Sequence, residues 1–258
     1  MSRSRAPRRP ARRRRPWSRS AIDGSPPAVL IGVDGCRDGW VAVSRADSGE
    51  FRWRRIDALA DLFRDAVRPR VVAVDIPIGL TKRGARLCDG EARVRLGERR
   101  CCVFTPPIRP MLAARSHAEA SAVRRRVEGK GVSIQAWAIV PKIREADRLL
   151  RRHPSYRPIV HEAHPEVCFA LLNGGSPLAA PKKTATGHRQ RVRLLRAWCG
   201  DAITRALAER RALGCAADDV VDAFATLWTA ERIHRGQATT LPADPPCDAH
   251  GLRMEIVV

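Results

Sequence analysis

Long hydrophobic runs are missing from this sequence. No apolar stretch approaches the ~18 residues that a membrane span requires, so nothing in it reads as a membrane segment. The Arg-rich first residues have no apolar segment behind them, which argues against a secretory signal and for a cytoplasmic protein. The eight cysteines contain no C-x-x-C pair and no zinc-like spacing, so a structural zinc site is not expected and most of the thiols read as small buried hydrophobes. There is no Walker-type phosphate loop, no helical H-E-x-x-H and no internal repeat.

Lysine is also scarce, confined to Lys82, Lys130, Lys142, Lys182 and Lys183, and tyrosine and phenylalanine together number six. Basic residues nevertheless outnumber acidic ones by 48 to 27, a formal net charge of +21. Such a surplus suits phosphate-rich partners, because cationic side chains displace condensed counterions from nucleic acid. Arginine dominance with few aromatics is equally what GC-rich codon usage produces, so charge alone decides nothing.

What is present divides the chain. Residues 1–27 hold a dense run of Arg with Pro and Ser and almost no apolar surface, which predicts a disordered tail. Two readings of it compete, a nucleic-acid-binding arm and an upstream start codon, and the second is preferred. Residues 28–258 predict one α/β domain, since strands alternate with helices. Val29 to Asp34 is a buried strand by length and β-branching. Trp40–Ser44 and Phe51–Ile56 follow as strands with short connections, which favours antiparallel pairing. Helical spacing over Ile56–Val67 precedes a further apolar strand, Arg70–Asp75. Residues 81–152 read as a mainly helical, basic insertion. Pro158–Ala163 is extended, Arg189–Trp198 and Ala217–Arg235 are helical, and Leu252–Val258 is a last strand.

Asp34 and Asp75 each terminate an apolar strand. An acid in that position belongs at the sheet's carboxyl edge, because burying it unpaired costs several kcal/mol. On neighbouring parallel strands the two would sit about 4.8 Å apart, a spacing that a bridging divalent cation relieves; alternatively, Asp34 caps a turn with Gly35. Glu162 lies in the next strand, where alternation pairs it with His164 on one face. Glu166 reads as a helix N-terminal acid. Asp219 and Asp222, three apart, share one face of the helix that starts near Ala217. Asp222 has apolar neighbours, so it faces the sheet. Hard oxygen ligands suit Mg²⁺ or Mn²⁺ in two-metal phosphodiester chemistry. The expected catalytic set is Asp34, Asp75, Glu162, Asp219 and Asp222, with metal on Asp34, Asp75, Glu162 and Asp222. Arg37, Lys142, Arg144, Lys182 and Lys183 are the expected phosphate contacts to DNA or RNA.

The motifs Gly32-Val33-Asp34-Gly35-Cys36-Arg37 and Val74-Asp75-Ile76-Pro77-Ile78-Gly79-Leu80 are distinctive together. With them go Gln135-Ala136-Trp137-Ala138-Ile139, Pro141-Lys142-Ile143-Arg144-Glu145, His164-Pro165-Glu166, Asp219-Val220-Val221-Asp222-Ala223 and Gly251-Leu252-Arg253-Met254-Glu255. In this order they resemble the domain-of-unknown-function 429 family, predicted RNase H-like nucleases. The resemblance implies an RNase H-like fold with a mixed central sheet, similar to the RuvC-type resolvases. It implies acids on the first strand, fourth strand and last helix, positions taken by Asp34, Asp75, Asp219 and Asp222, with Glu162 a further acid on the fifth. A metal-dependent nuclease is therefore expected. The alternatives are a non-catalytic nucleic-acid-binding module of the same fold and, third, a nucleotide-handling enzyme, which would need a Gly-Thr-rich phosphate loop after the first strand.

Overall fold

The computed structural model describes residues 29–65 and 67–258; the tail expected over 1–27 lies outside the described residues. Three strands come first: β1 (Val29–Cys36), β2 (Gly39–Ala46) and β3 (Phe51–Ile56). β4 (Pro69–Val74) and β5 (Val160–Glu162) complete a five-stranded sheet of order β3-β2-β1-β4-β5. The first three strands are antiparallel neighbours, whereas β4 runs parallel to β1 and β5 parallel to β4. The architecture is α/β with a mixed sheet.

The helical period expected over Ile56–Val67 is realised only as a 3-10 turn, Leu59–Phe63. Asp61 turns its carboxylate back onto the Asp57 and Ala58 N–H groups, which ties the chain into a tight return towards β4. Residues 81–152 carry α1 (Leu87–Leu96), α2 (His117–Glu128), α3 (Ile134–Ala138) and α4 (Val140–Arg152). They do not form one unit. Cys88, Ala92 and Leu96 of α1 join the core on one side of the sheet, Ile143, Ala146 and Leu150 of α4 join the core on the other, and a small third core surrounds Met111 and Ala120. Glu145 fastens α4 by accepting from Trp40 Nε1 at 3.2 Å and from the Leu59 N–H at 2.6 Å.

After β5 come α5 (Pro165–Leu172), α6 (Ala185–Cys199), α7 (Ala202–Leu213) and α8 (Ala217–His234). The pattern at Arg189–Trp198 marks α6 correctly but misses α7. The last strand shrinks to β7 (Ile256–Val257), paired with β6 (Thr240–Leu241), which had no sequence signal.

α8 fixes the centre of the molecule. It lies across β1, where a Cβ on Gly32 would fall 2.1 Å from the Leu227 backbone nitrogen and 2.3 Å from the Ala223 carbonyl oxygen. Only a residue without a side chain lets helix and strand backbones approach so closely. Val220, Phe224 and Leu227 of α8 then pack with Leu30, Val43, Val71 and Ala73 from the sheet's near face. Burial of each such side chain contributes on the order of 1.5–3 kcal/mol.

Candidate functional site

Pleat and register decide which acids can meet. Along β1, Leu30, Gly32 and Cys36 face α8, so Asp34, in phase with them, faces α8 too. Along β4, Val71 and Ala73 face α8, and Asp75 continues that phase. The Asp75 N–H donates to the Val33 carbonyl at 2.9 Å, which extends the ladder past the end of β4 and brings Asp75 beside Asp34. Burial and then the charge of Asp75 raise the Asp34 carboxyl. Asp222 enters from α8 and is 2% exposed.

Lys182 precedes α6 and is the cation of this cluster. Its Nζ donates to Asp222 Oδ2 at 2.6 Å. The other carboxylate oxygen, Asp222 Oδ1, is buried with no hydrogen-bond partner. Burial drives the Asp34 carboxyl well above its usual range, and the neighbouring Asp75 and Asp222 push it further. Asp75 is raised to about 6, chiefly by burial, with Lys182 opposing. Asp222 is raised to about 6 by the same pair of influences. Burial by itself would lower the Lys182 ammonium, but Asp222, then Asp75 and Asp34, carry it upward. Asp219 is half-buried at the mouth of the cluster, and its Oδ2 also accepts from the Ala216 N–H at 2.8 Å. It therefore ties down the first turn of α8 as well as adding charge.

Lys182 is held in place by groups that sequence reasoning did not connect. Arg191 is 1% exposed and grips Glu166 with Nε and Nη2 at 2.7–3.0 Å. Its Nη1 donates to the carbonyls of Ala180 and Gly187 at 3.1 and 2.9 Å. A Cβ on Gly187 would strike the Pro181 oxygen at 2.0 Å, so this glycine lets the first turn of α6 sit under the Lys182 loop. Glu166 raises both Asp75 and Asp222. His164, at the start of α5, is half-buried among the same charges; desolvation lowers it and Glu166 opposes. The His-Pro-Glu motif at a helix start was the available signal.

A family model described as "Protein of unknown function (DUF429)" matches residues 32–246. The chain belongs to the DUF429 family. No curated protein and no solved structure matches it.

Not every expected residue of this DUF429 chain lies in the cluster. Glu162 is in phase with Val160, and both face the side of the sheet away from α8. There it binds Arg86 through both oxygens at 2.7 Å and accepts from the Ile78 N–H at 2.7 Å. Arg86 also holds Asp89, making a buried network that spans the insertion and the sheet. The pairing of Glu162 with His164 on one face fails because β5 ends at Glu162. Below Glu162 lies a cavity of about 270 Å³ lined by Ile78, Leu150, Val160, Leu252 and Arg157, on the face opposite the acids.

The expected phosphate contacts also separate. Arg144 donates to the carbonyls of Leu112 and Ala114 and lies over the Trp137 ring, which binds it into the insertion. Lys142 donates to the Gly39 carbonyl, stands 4.5 Å from the Trp40 ring centroid and covers Gly35. Arg37 is exposed on the turn after β1, and Lys183 is exposed beside Lys182.

Among the described residues, no three His, Cys, Asp or Glu side chains stand as a ready-made metal cage. The donors nonetheless suit a hard divalent ion. The Asp34 carboxyl feels the charges of both Asp75 and Asp222, and a buried oxygen of Asp222 is unpartnered. Lys182 meets the need for positive charge in the absence of such an ion. Among the described residues no helix is long and apolar enough to cross a membrane.

Proposed function

We propose that this DUF429 chain is an RNase H-like nuclease that hydrolyses phosphodiester bonds with Mg²⁺ or Mn²⁺ held by Asp34, Asp75 and Asp222. The observation that carries the reading is the meeting of these three acids on the α8 side of β1 and β4, with Asp222 Oδ1 unpartnered. The sheet order and the acids' positions on the first strand, after the fourth strand and on the last helix agree with that fold.

A bound divalent ion there would supply water activation and charge neutralisation at the phosphoryl group. The chain's own residues do the rest. Gly32 sets the distance between β1 and α8, and so between Asp34 and Asp222. Arg191 and Glu166 fix the loop that carries Lys182. Lys182, once released from Asp222, is placed to meet a phosphate oxygen, and the exposed Arg37 and Lys183 add charge for a polyanion. Asp219 steadies the start of α8.

A second reading is favoured by the Lys182–Asp222 contact itself. In it the ammonium permanently takes the cation's place, and the chain binds nucleic acid without cleaving it. Purified protein incubated with single-stranded, duplex, hybrid and branched substrates and Mn²⁺ separates the two. The nuclease reading expects cleavage that falls roughly 10²–10³-fold in Asp34→Asn. Cleavage of no substrate, or cleavage unchanged by Asp34→Asn, overturns it. Salt-sensitive binding that persists in chelator without turnover establishes the second reading.

A further inference from the structure

The Gly251-Leu252-Arg253-Met254-Glu255 motif takes no part in the acid cluster. It forms instead one wall of the cavity of about 270 Å³ on the other face of the sheet, against β5 and the end of α4. Hydrogen bonds fix this wall. Asp248 Oδ1 accepts from the His250 and Leu252 N–H groups at 2.8 and 3.1 Å, and Oδ2 accepts from the Leu80 N–H at 3.1 Å. Ile78, Leu150, Val160 and Leu252, all buried, give the cavity an apolar floor.

Four charged side chains also line it, and three of them are neutralised within the protein. Glu162 is held by Arg86 through both oxygens. Glu255, 4% exposed, has Oε1 3.1 Å from His161 Nδ1 and Oε2 ion-paired with Arg253 Nη2 at 2.8 Å. Arg157 differs. Its Nε donates to the Leu150 carbonyl at 3.0 Å, and among the described residues no acceptor meets Nη1 or Nη2. Nη1 stands 3.2 Å from the point that a Cβ on Gly251 would occupy, so the guanidinium lies against the same wall. A side chain at Gly251 would push it aside. The charge left uncompensated in this cavity is therefore positive.

We propose that the cavity is a binding site for a small organic anion, one acidic head on a compact apolar body. The two free arms of the Arg157 guanidinium match two oxygens of a carboxylate or phosphate. The body lies on the Leu150, Val160 and Leu252 side chains and displaces water from them. A volume just under the roughly 300–1,000 Å³ of small-molecule sites limits that body to a compact one. The site is on the opposite face from Asp34, Asp75 and Asp222, and it stands whether or not those acids hold metal.

The test is ligand-observed NMR titration of the full chain in chelator with benzoate, phenyl phosphate and benzylamine, which share one apolar body. Benzoate or phenyl phosphate should bind saturably, and the cationic benzylamine should not. Because the chain is strongly basic, a surface control is needed. Arg157→Gln should weaken anion binding roughly tenfold or more, whereas Arg152→Gln, at an exposed neighbouring position, should leave it unchanged. Bound anion should also slow amide hydrogen exchange over Leu252–Glu255 in the wild-type chain, a reading that needs no variant to fold. Binding of neither anion, equal binding of benzylamine, or equal effects of the two substitutions overturns the proposal.

Discussion

Lys182 Nζ lies 2.6 Å from Asp222 Oδ2, a part-exposed ammonium set against a carboxylate that is 2% exposed. Removing the cation leaves the acid buried without its partner, which is costlier than losing a surface pair. Because the lysine side chain is 39% exposed, water recovers part of that cost. Lys182→Met is expected to lose about 1–2 kcal/mol in chelator at pH 7, with the deficit vanishing at acid pH, where Asp222 is protonated. Adding Mn²⁺ should close the gap if the acids hold metal. Thermal melts at two pH values, with and without Mn²⁺, measure all three terms.

The same acids set a pH dependence for the metal-free protein. Asp75 and Asp222 are raised from 3.8 to about 6, and Asp34 also moves upward. A carboxyl raised on folding binds its proton more tightly in the native state. Its contribution is thus fully favourable below about pH 4 and is lost as the pH climbs through about 6. One such group corresponds to roughly 3 kcal/mol between those limits. Melting temperature in chelator should therefore fall from about pH 4 to about pH 6, and Asp222→Asn should flatten the slope. A chain whose stability rises over that interval would contradict the buried-acid cluster.

Asn in place of Asp34 separates stability from activity. The amide keeps the shape of the side chain and removes a charge that burial disfavours, so Asp34→Asn should be more stable than the wild-type chain at pH 7, by about 1–2 kcal/mol in chelator. If the proposed activity is right, the same variant cleaves roughly 10²–10³-fold more slowly. Chemical denaturation and a cleavage assay on one preparation give both numbers.

Much of this was legible in the sequence, for a physical reason. Asp34 and Asp75 stand directly after β-branched runs, and a charge at the end of a buried strand has few places to go. Asp222 stands among apolar helix neighbours, which points it at the sheet. What periodicity does not carry is register. The face that Glu162 occupies depends on β5 pairing Val74 with Glu162, a relation between segments far apart in the chain. The Arg191–Glu166 grip is likewise long-range, and α7 was missed between two more strongly patterned helices. Arg144 read as a phosphate contact because a basic residue looks alike whether it faces water or backbone carbonyls.

Gly32 is expected to tolerate no side chain. The methyl of Gly32→Ala meets backbone atoms of Leu227 and Ala223, which cannot rotate aside, so α8 must shift away from β1. Overpacking of this kind costs about 3 kcal/mol or more. The displacement also parts Asp222 from Asp34, so any metal-dependent property should weaken together with stability. Denaturation midpoints and Mn²⁺ titration of this variant should move in step. A stable variant with unchanged metal affinity would show that the close approach of helix and strand is not what assembles the acids.

Glu162 and Asp34 make opposite predictions, which lets experiment distinguish a structural acid from one that holds metal. Glu162→Gln keeps the volume but removes one of the two carboxylates that, among the described residues, compensate Arg86, which is 3% exposed and also holds Asp89. Breaking a buried ion pair costs up to about 3–5 kcal/mol, part of which the remaining Asp89 contact offsets. The variant should therefore unfold more easily while binding Mn²⁺ as the wild-type chain does at temperatures where it remains folded. Calorimetric titration with Mn²⁺ beside a melting curve decides the matter. Loss of metal affinity with unchanged stability would return Glu162 to the site and would mean that the sheet faces have been assigned the wrong way round.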